Sequence, residues 1–208
     1  MILAFETSCT CCSVALWDKD RIITERDQEI GHGHATVLVP MIVNVLKDAN
    51  VSFSQITHIA TTRGPGSFTG IRVGLATARG FALAGSLPLL GITTFEALWQ
   101  GAPAEIKKAK SLIAIDTKRG DFYTALFDQG RGSDFQIRTL LEIETICKTQ
   151  YRALITDQPL PLPGISVFSL LPSAHHVAEY AAQNIHKPDF FSSDPFYLRP
   201  PQIHGHPA

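Results

Sequence analysis

Residues 2–18, ILAFETSCTCCSVALWD, lie over residues 112–128, LIAIDTKRGDFYTALFD, without a gap at an offset of 110. Ala4 meets Ala114, Thr7 meets Thr117, Ala15 meets Ala125, Leu16 meets Leu126 and Asp18 meets Asp128. Glu6 stands opposite Asp116, Phe5 opposite Ile115 and Trp17 opposite Phe127. Each copy reads as a buried strand, an acid, a polar turn and a returning strand, because short apolar runs bounded by turn residues mark core strands. Any two hairpins share part of this pattern. The acid-Thr pair repeated at the same place in both turns is what points to a duplication.

Working outward, Arg21–Glu29 alternates apolar and polar residues as a third strand, and a helix is expected over Thr36–Asn50. A strand at Ile56–Thr62, a helix at Ser67–Gly85, a strand at Leu87–Thr93 and a helix at Thr94–Gln100 complete the order β-β-β-α-β-α-β-α. The second half repeats this less fully. It has two strands within 111–127, a third at Phe135–Leu140, a helix at Glu142–Gln150, strands at Arg152–Thr156 and Ile165–Leu170, and a helix at Ala174–Asn184. Apolar periodicity breaks at Gly101-Ala102-Pro103, which divides the chain into lobes 1–101 and 102–208, the final segment expected to pack back on the first lobe. Such units give an α/β fold with helices covering a sheet. Two of them in tandem make the two-lobe actin-like (ASKHA) arrangement of ATPases and sugar kinases, with a cleft between the two acidic turns.

A formal net charge of -1 excludes the broad basic surface needed to neutralise many phosphates, so any RNA must be held mainly by something else. With 45% hydrophobic and 18% charged residues the chain can bury a real core. Lys107, Lys108 and Lys110 read as a solvated loop. The opening Met1–Glu6 runs straight into a strand with no basic leader, and the longest apolar helical stretch, Ile71–Leu83, is interrupted by Arg72 and Arg79. No membrane span and a cytoplasmic location with reduced cysteines are therefore expected. Cys9, Cys11 and Cys12 crowd one turn while Cys147 stands alone, so the two spaced ligand pairs of a structural zinc site are missing. His32, His34, His175, His176, His204 and His206 lack carboxylate neighbours in the sequence, and no metal site is expected at them.

In the first helix Leu38, Met41, Ile42, Val45, Leu46 and Ala49 recur at i, i+3, i+4, i+7, i+8 and i+11, which makes a core stripe. Val37, Val39 and Val43 widen it. In the second, Gly66, Gly70, Gly74, Ala78 and Ala82 recur every four residues. Each internal glycine costs up to ~1 kcal/mol relative to alanine, so the row implies a smooth groove for a closely packed helix. That helix is either the neighbour in the same lobe or one from another chain. Leu38, Met41, Ile42, Val45, Gly70, Gly74, Leu75 and Ala78 are taken as the partner-binding set, with the expectation that Ile42→Glu or Gly74→Leu breaks association in a folded monomer. The loop Gly64–Gly70 joins turn glycines to a helix N-terminus, the makings of an anion site, and is no P-loop. Ser67 is expected as the N-cap. Glu6, Thr7, Ser8, Ser67, Thr69 and Asp116 are the cleft or anion-binding candidates.

The string Arg63-Gly64-Pro65-Gly66-Ser67-Phe68-Thr69-Gly70-Ile71-Arg72-Val73-Gly74 resembles the TsaB (YeaZ-like) family. Ile2–Trp17, His34–Met41, Gly91-Ile92-Thr93-Thr94 and Pro195-Phe196-Tyr197-Leu198-Arg199 follow in family order, most strongly over residues 1–100. Departures are the cysteine-rich turn, Ala35-Thr36 and a short second lobe. The resemblance implies an actin-like fold and a bacterial cytosolic scaffold that pairs with the catalytic paralogue TsaD. It also implies that the scaffold engages the ATPase TsaE, self-pairs as a homodimer when alone and meets tRNA only through the complex that places threonylcarbamoyl on adenosine. It implies no catalytic residue here. The paralogue carries two histidines four apart after its counterpart of Leu89-Leu90-Gly91, where this chain has Thr94 and Leu98, and leucine cannot ligate a metal. No cofactor is expected on this chain itself, with ATP or ADP at the complex interface. The alternative is a small-molecule kinase or ATPase of the same fold, with Asp116 or Glu6 holding Mg²⁺ or acting as base. Against it, the glycine-rich adenosine motif of such enzymes is missing, since Gly130 and Gly132 read only as a turn.

Overall fold

The computed structural model describes residues 1–151, 153–187 and 192–200. Strands β1 (Ile2–Glu6), β2 (Cys11–Asp18), β3 (Arg21–Glu29), β4 (His58–Thr62) and β5 (Leu89–Ile92) form one sheet in the order β3-β2-β1-β4-β5. Strands β6 (Ser111–Asp116), β7 (Phe122–Asp128), β8 (Arg131–Arg138), β9 (Ala153–Thr156) and β10 (Ser166–Ser169) form a second in the order β10-β9-β6-β7-β8. Read in chain direction the two are the same design, a three-stranded antiparallel meander with two parallel strands added beside its first strand. The duplicated two-lobe actin-like fold is thus present as topology.

Among the described residues six α-helices cover these sheets: α1 (His34–Asp48), α2 (Phe68–Gly85), α3 (Thr94–Gly101), α4 (Ala104–Lys107), α5 (Leu140–Thr149) and α6 (Ala174–Asn184). Both α1 and α2 pack on the outer face of the first sheet, where Leu38, Met41, Ile42, Val45 and Ala78 meet Leu3, Phe5, Val14 and Leu16. On the outer face of the second sheet, Ile143 and Cys147 of α5 meet Leu112, Ala114 and Leu154. The layer between the sheets exchanges helices. From the second half of the chain, α6 packs Val177, Ala178 and Ala181 on Ile2, Ala4 and Ala60 of the first sheet. From the first half, α3 packs Phe95, Leu98 and Trp99 on Ile113, Ile115, Phe127 and Ile155 of the second. The Tyr180 hydroxyl donates to Glu96 at 3.1 Å and ties the exchanged helices together. Each sheet thus buries its inner face largely against a helix from the other half, so the packing crosses the division at residue 101.

The gapless overlay also needs correction, by one residue. Glu6 pairs with Ser13, but Asp116 pairs with Phe122, so the second hairpin closes one residue sooner. Returning strands keep the expected match: Leu16 faces the α1 side and Leu126 the α5 side. The first strands do not, since Leu3 and Phe5 face α1 while Leu112 and Ala114 face α5. A one-residue slip turns every side chain to the other face. Glu6 and Asp116, adjacent to matching threonines in sequence, consequently point to opposite sides of their sheets.

Helix α4 includes Lys107, a residue expected in a solvated loop, whose Nζ donates to the Gln100 carbonyl. Of the element boundaries that differ from expectation, two do so for local reasons. Strand β8 starts at Arg131, not Phe135, because Gln129 and Gly130 both adopt positive φ (50° and 79°) and close a tight two-residue hairpin. Helix α5 starts at Leu140, not Glu142, because Thr139 and Glu142 form a reciprocal capping box, Glu142 N–H donating to Thr139 Oγ1 and Thr139 N–H to the Glu142 carboxylate.

The glycine row of α2 meets the first hairpin turn rather than a helix. A Cβ at Gly70 would run into the Thr7 carbonyl, one at Gly74 into Thr7 Oγ1, and one at Gly66 into the Ser8 carbonyl. Gly80, in the same helix, faces open space. Gly74→Ala is therefore expected to cost about 1–3 kcal/mol through overpacking. Gly80→Ala should instead stabilise by up to ~1 kcal/mol through helix propensity alone. Urea denaturation of the two variants should move the midpoint in opposite directions, and equal shifts would rule out this packing of α2.

Candidate functional site

Both hairpin turns open on one cavity of about 470 Å³ between the lobes. From the first turn come Ser8, Cys9 and Thr10, from the start of α2 Gly66, Ser67 and Phe68, and from the second turn Asp116, Thr117, Lys118 and Arg119. Asp157, Tyr123, Tyr197 and Arg199 complete the polar and aromatic wall.

Tyr197 and Arg199 are brought there by tertiary structure. Residues 192–200 run back across both lobes. Phe196 N–H donates to the Arg63 carbonyl at 2.7 Å, the Arg63 guanidinium lies 5.4 Å from the Phe196 ring, and Arg79 donates to the Ser193 carbonyl at 2.9 Å. On the second lobe Phe196 packs on Phe135 at 5.2 Å between centroids and Arg199 pairs with Asp121 at 2.5 Å. Gly64 and Gly91 leave room for the carbonyls of Phe196 and Ser192 respectively. The closing motif Pro195–Arg199 is thus a strap that walls one side of the cavity.

Of the six cleft candidates, Ser8, Ser67 and Asp116 line the cavity, whereas Glu6, Thr7 and Thr69 do not. Glu6 is fully buried under its own turn. Its carboxylate accepts Ser8 N–H at 2.5 Å, Thr62 Oγ1–H at 3.0 Å and Cys9 Sγ–H at 3.2 Å. Burial raises its pKa above the ordinary 4.5, the four hydrogen-bonding contacts opposing that rise. Thr7 Oγ1 donates to the Gly70 carbonyl at 2.8 Å, and Thr69 is exposed on α2. Ser67 is the N-cap as expected, accepting Gly70 N–H at 3.2 Å, while its own N–H donates to the Ser8 carbonyl at 2.8 Å. The N-cap of α2 is thereby tied to the first hairpin turn.

Asp116 is spent in the same way. Its carboxylate accepts Lys118 N–H at 2.7 Å, Lys118 Nζ at 2.9 Å and Gln158 Nε2 at 2.9 Å. Its N–H donates to Asp157 at 2.9 Å, and burial raises the Asp157 pKa. Sequence reasoning passed over Lys118, Arg119, Tyr123 and Asp157. The first three stand in the quoted hairpin, but only the turn's conformation shows which of its residues face the cleft.

The actin-like fold implies a metal nucleotide in this cleft, and the residues do not fit one. A Mg²⁺ ion needs carboxylate or water oxygens in near-octahedral array, yet Asp116 is held by Lys118 and Gln158 and Glu6 is sealed beneath its turn. Among the described residues no group of three or more His, Cys, Asp or Glu could hold a metal. His34 is buried with Nε2 at 3.3 Å from the Cys11 carbonyl, His175 pairs with Glu25 at 3.0 Å, and burial lowers the His176 pKa to about 4. His204 and His206 lie outside the described residues. The four thiols are free, and burial raises the pKa of each, Cys12 to about 12 and Cys147 to about 11, so none is poised as a thiolate. Thr94 and Leu98 are buried, Leu98 against the second sheet and Thr94 donating to Ser8 Oγ at 3.0 Å.

The partner-binding set is corrected outright. Leu38, Met41, Ile42, Val45, Gly70, Gly74, Leu75 and Ala78 are all buried within their own lobe. The i, i+3, i+4 stripe is the core face of α1, and the glycine row admits the turn at Thr7 and Ser8. Substituting Ile42 or Gly74 would damage the fold before any contact. Exposed instead are Val39 and Val43 on α1 and Ala76, Gly80 and Leu83 on α2, with Leu83 83% exposed.

Residues 27–164 match the family model described as TsaD, tRNA N6-adenosine threonylcarbamoyltransferase. The tRNA threonylcarbamoyladenosine biosynthesis protein TsaB of Escherichia coli (strain K12) is 36% identical over 128 residues, 62% of this chain and 55% of that protein. The TsaB protein of Haemophilus influenzae is 32% identical over 155 residues, 72% of this chain and 64% of that protein. The chain thus spans between about half and two thirds of the length of these curated relatives. The solved structure of YeaZ from Pseudomonas aeruginosa superimposes with a TM-score of 0.77 at 25% identity, covering 95% of this chain and 99% of that one.

Because the Glu6 pKa is raised on folding, the native state binds the proton more tightly than the unfolded chain. Wild-type stability should therefore be fully present below the ordinary carboxyl value and fall as pH rises towards the raised one. Glu6→Gln, which keeps one acceptor oxygen, should lack that slope. Urea midpoints measured from pH 4 to pH 8 should diverge in favour of the variant as pH rises; parallel curves would mean Glu6 is not a buried titrating acid.

Proposed function

The chain belongs to the threonylcarbamoyltransferase family of that model, in its TsaB (YeaZ-like) branch, and from that premise we propose that it is a non-catalytic partner subunit. It acts in threonylcarbamoyl transfer to adenosine of tRNA by pairing with the catalytic paralogue TsaD, engages the ATPase TsaE, and self-pairs when alone. It meets tRNA only through the assembly, in the cytoplasm. With Glu6 and Asp116 held by the lobes' own hydrogen bonds, chemistry falls to the paralogue, and ATP or ADP belongs to the interface of the complex.

The observation that carries this reading is the outward apolar surface on two neighbouring helices of the first lobe. Val39 is 43%, Val43 57% and Leu83 83% exposed, beside the open Gly80. Exposed aliphatic side chains grouped on adjacent helices characterise protein contact surfaces, and small residues beside them allow a second helix to approach closely. The burial of Thr94 and Leu98 supports the non-catalytic half of the proposal, since a threonine tied to Ser8 and a leucine packed on the second sheet are not placed to ligate a metal. A kinase or ATPase reading has Asp116 as its base, and Asp116 is already held by two donor side chains.

Val43→Glu and Leu83→Glu should weaken co-purification with the catalytic paralogue by at least about tenfold, because each places a charge in a desolvated contact. Their thermal midpoints should stay near wild type, since both positions are outward. Sedimentation of the chain alone and mixed with the paralogue checks both effects. Undiminished association of both variants would remove this surface from the proposal. ATP hydrolysis by the isolated chain, lost in Asp116→Ala, would replace the proposal with the enzyme reading.

A further inference from the structure

Three cations line the cavity between the lobes, Lys118, Arg119 and Arg199. Lys118 is matched by Asp116 at 2.9 Å and Arg199 by Asp121 at 2.5 Å. Among the described residues no carboxylate forms an ion pair with Arg119, and Asp121, the acid whose charge it influences, is already held by Arg199. The other acid of the wall, Asp157, accepts the Asp116 N–H. The Arg119 guanidinium therefore stands without an ion-pair partner among the described residues, exposed at the rim of a recess whose wall also carries the hydroxyls of Tyr123, Tyr197 and Thr10.

The recess is also aromatic. Phe68 and Tyr197 stand 5.3 Å apart between ring centroids at its edge, one from the start of α2 and one from the strap, and Tyr123 joins them from β7. About 470 Å³ is the volume of a site for a compact organic molecule rather than for a bare ion. A guanidinium fork matches the two oxygens of a carboxylate or phosphate, and ring faces accept a planar body. With both cleft acids internally held, nothing in the wall calls for a metal to bridge ligand and protein.

We propose that this cavity is a metal-independent binding site for a small aromatic anion, its phosphate or carboxylate head on Arg119 and its planar body against Tyr197, whose ring is backed by Phe68. The site stands apart from the partner surface, which lies on the outward faces of α1 and α2.

The test is to titrate the full chain with 2-naphthyl phosphate and, separately, 2-naphthoate, each with Mg²⁺ and with EDTA, following ligand fluorescence. Saturable binding of at least one probe by ~1 mM, unchanged by EDTA, is expected; the preferred probe identifies the head group. Arg119→Gln should weaken it at least about tenfold, Arg119→Lys should recover part of that loss, and Tyr197→Ala should weaken it as well. Arg119 is exposed, so Arg119→Gln should melt with wild type and still co-purify with the paralogue, which separates failure here from failure of the partner reading. Absence of saturation with both probes, a requirement for Mg²⁺, or full affinity in Arg119→Gln overturns the proposal.

Discussion

The close approach of α2 to the first hairpin turn is the contact on which the rest of the molecule depends. Gly66, Gly70 and Gly74 strip one side of the helix start so that the backbone at Thr7 and Ser8 can lie against it. Two hydrogen bonds then lock the pair, Thr7 Oγ1–H to the Gly70 carbonyl at 2.8 Å and Ser67 N–H to the Ser8 carbonyl at 2.8 Å. The helix end that would otherwise attract an anion meets a carbonyl from its own lobe. Beneath the same turn Glu6 is enclosed by Ser8, Cys9 and Thr62. A single packing arrangement thus stabilises the first lobe and withdraws from the cleft the groups that nucleotide chemistry would need.

A second constraint joins the lobes. Each sheet has an apolar inner face, and each is covered by a helix supplied by the other half of the chain, α6 over the first sheet and α3 over the second. The strap at 192–200 adds a polar tie from Arg63 and Arg79 to Asp121. Separating the lobes would expose apolar surface on both sheets at once, so the cleft walls are held in fixed relation by burial rather than by hinge residues. With α3 committed to this middle layer, Leu98 is a core side chain by necessity, and a ligating residue at that position would face the second sheet instead of a substrate.

The candidate site was legible only in part. Ser8, Ser67 and Asp116 could be named because turn residues, a helix start and an acid after an apolar strand have recognisable sequence signatures. Glu6 and Thr7 carried the same signature and proved to be structural, because a one-residue difference in hairpin length sends Glu6 and Asp116 to opposite faces. Arg199 and Tyr197 reach the cavity from far along the chain, and Asp157 from the end of β9, so no local pattern could place them there. The error about α1 and α2 has a similar cause. Periodicity identifies which residues share a helix face, and Ile42 and Gly74 do belong to coherent faces, but it does not say which face meets the sheet and which meets water.

From its residues alone this chain fixed the strand-and-helix order apart from α4, the duplication, the N-cap at Ser67 and the family resemblance. All of these rest on local spacing: alternation, helical period, turn glycines and a conspicuous string. Tertiary structure alone decided the register of the two hairpins, the exchange of α3 and α6, the docking of the α2 N-cap on the first turn and the strap across the cleft. Each of those is a contact between segments distant in sequence, selected by which apolar faces can be buried together, and local spacing carries no record of that choice.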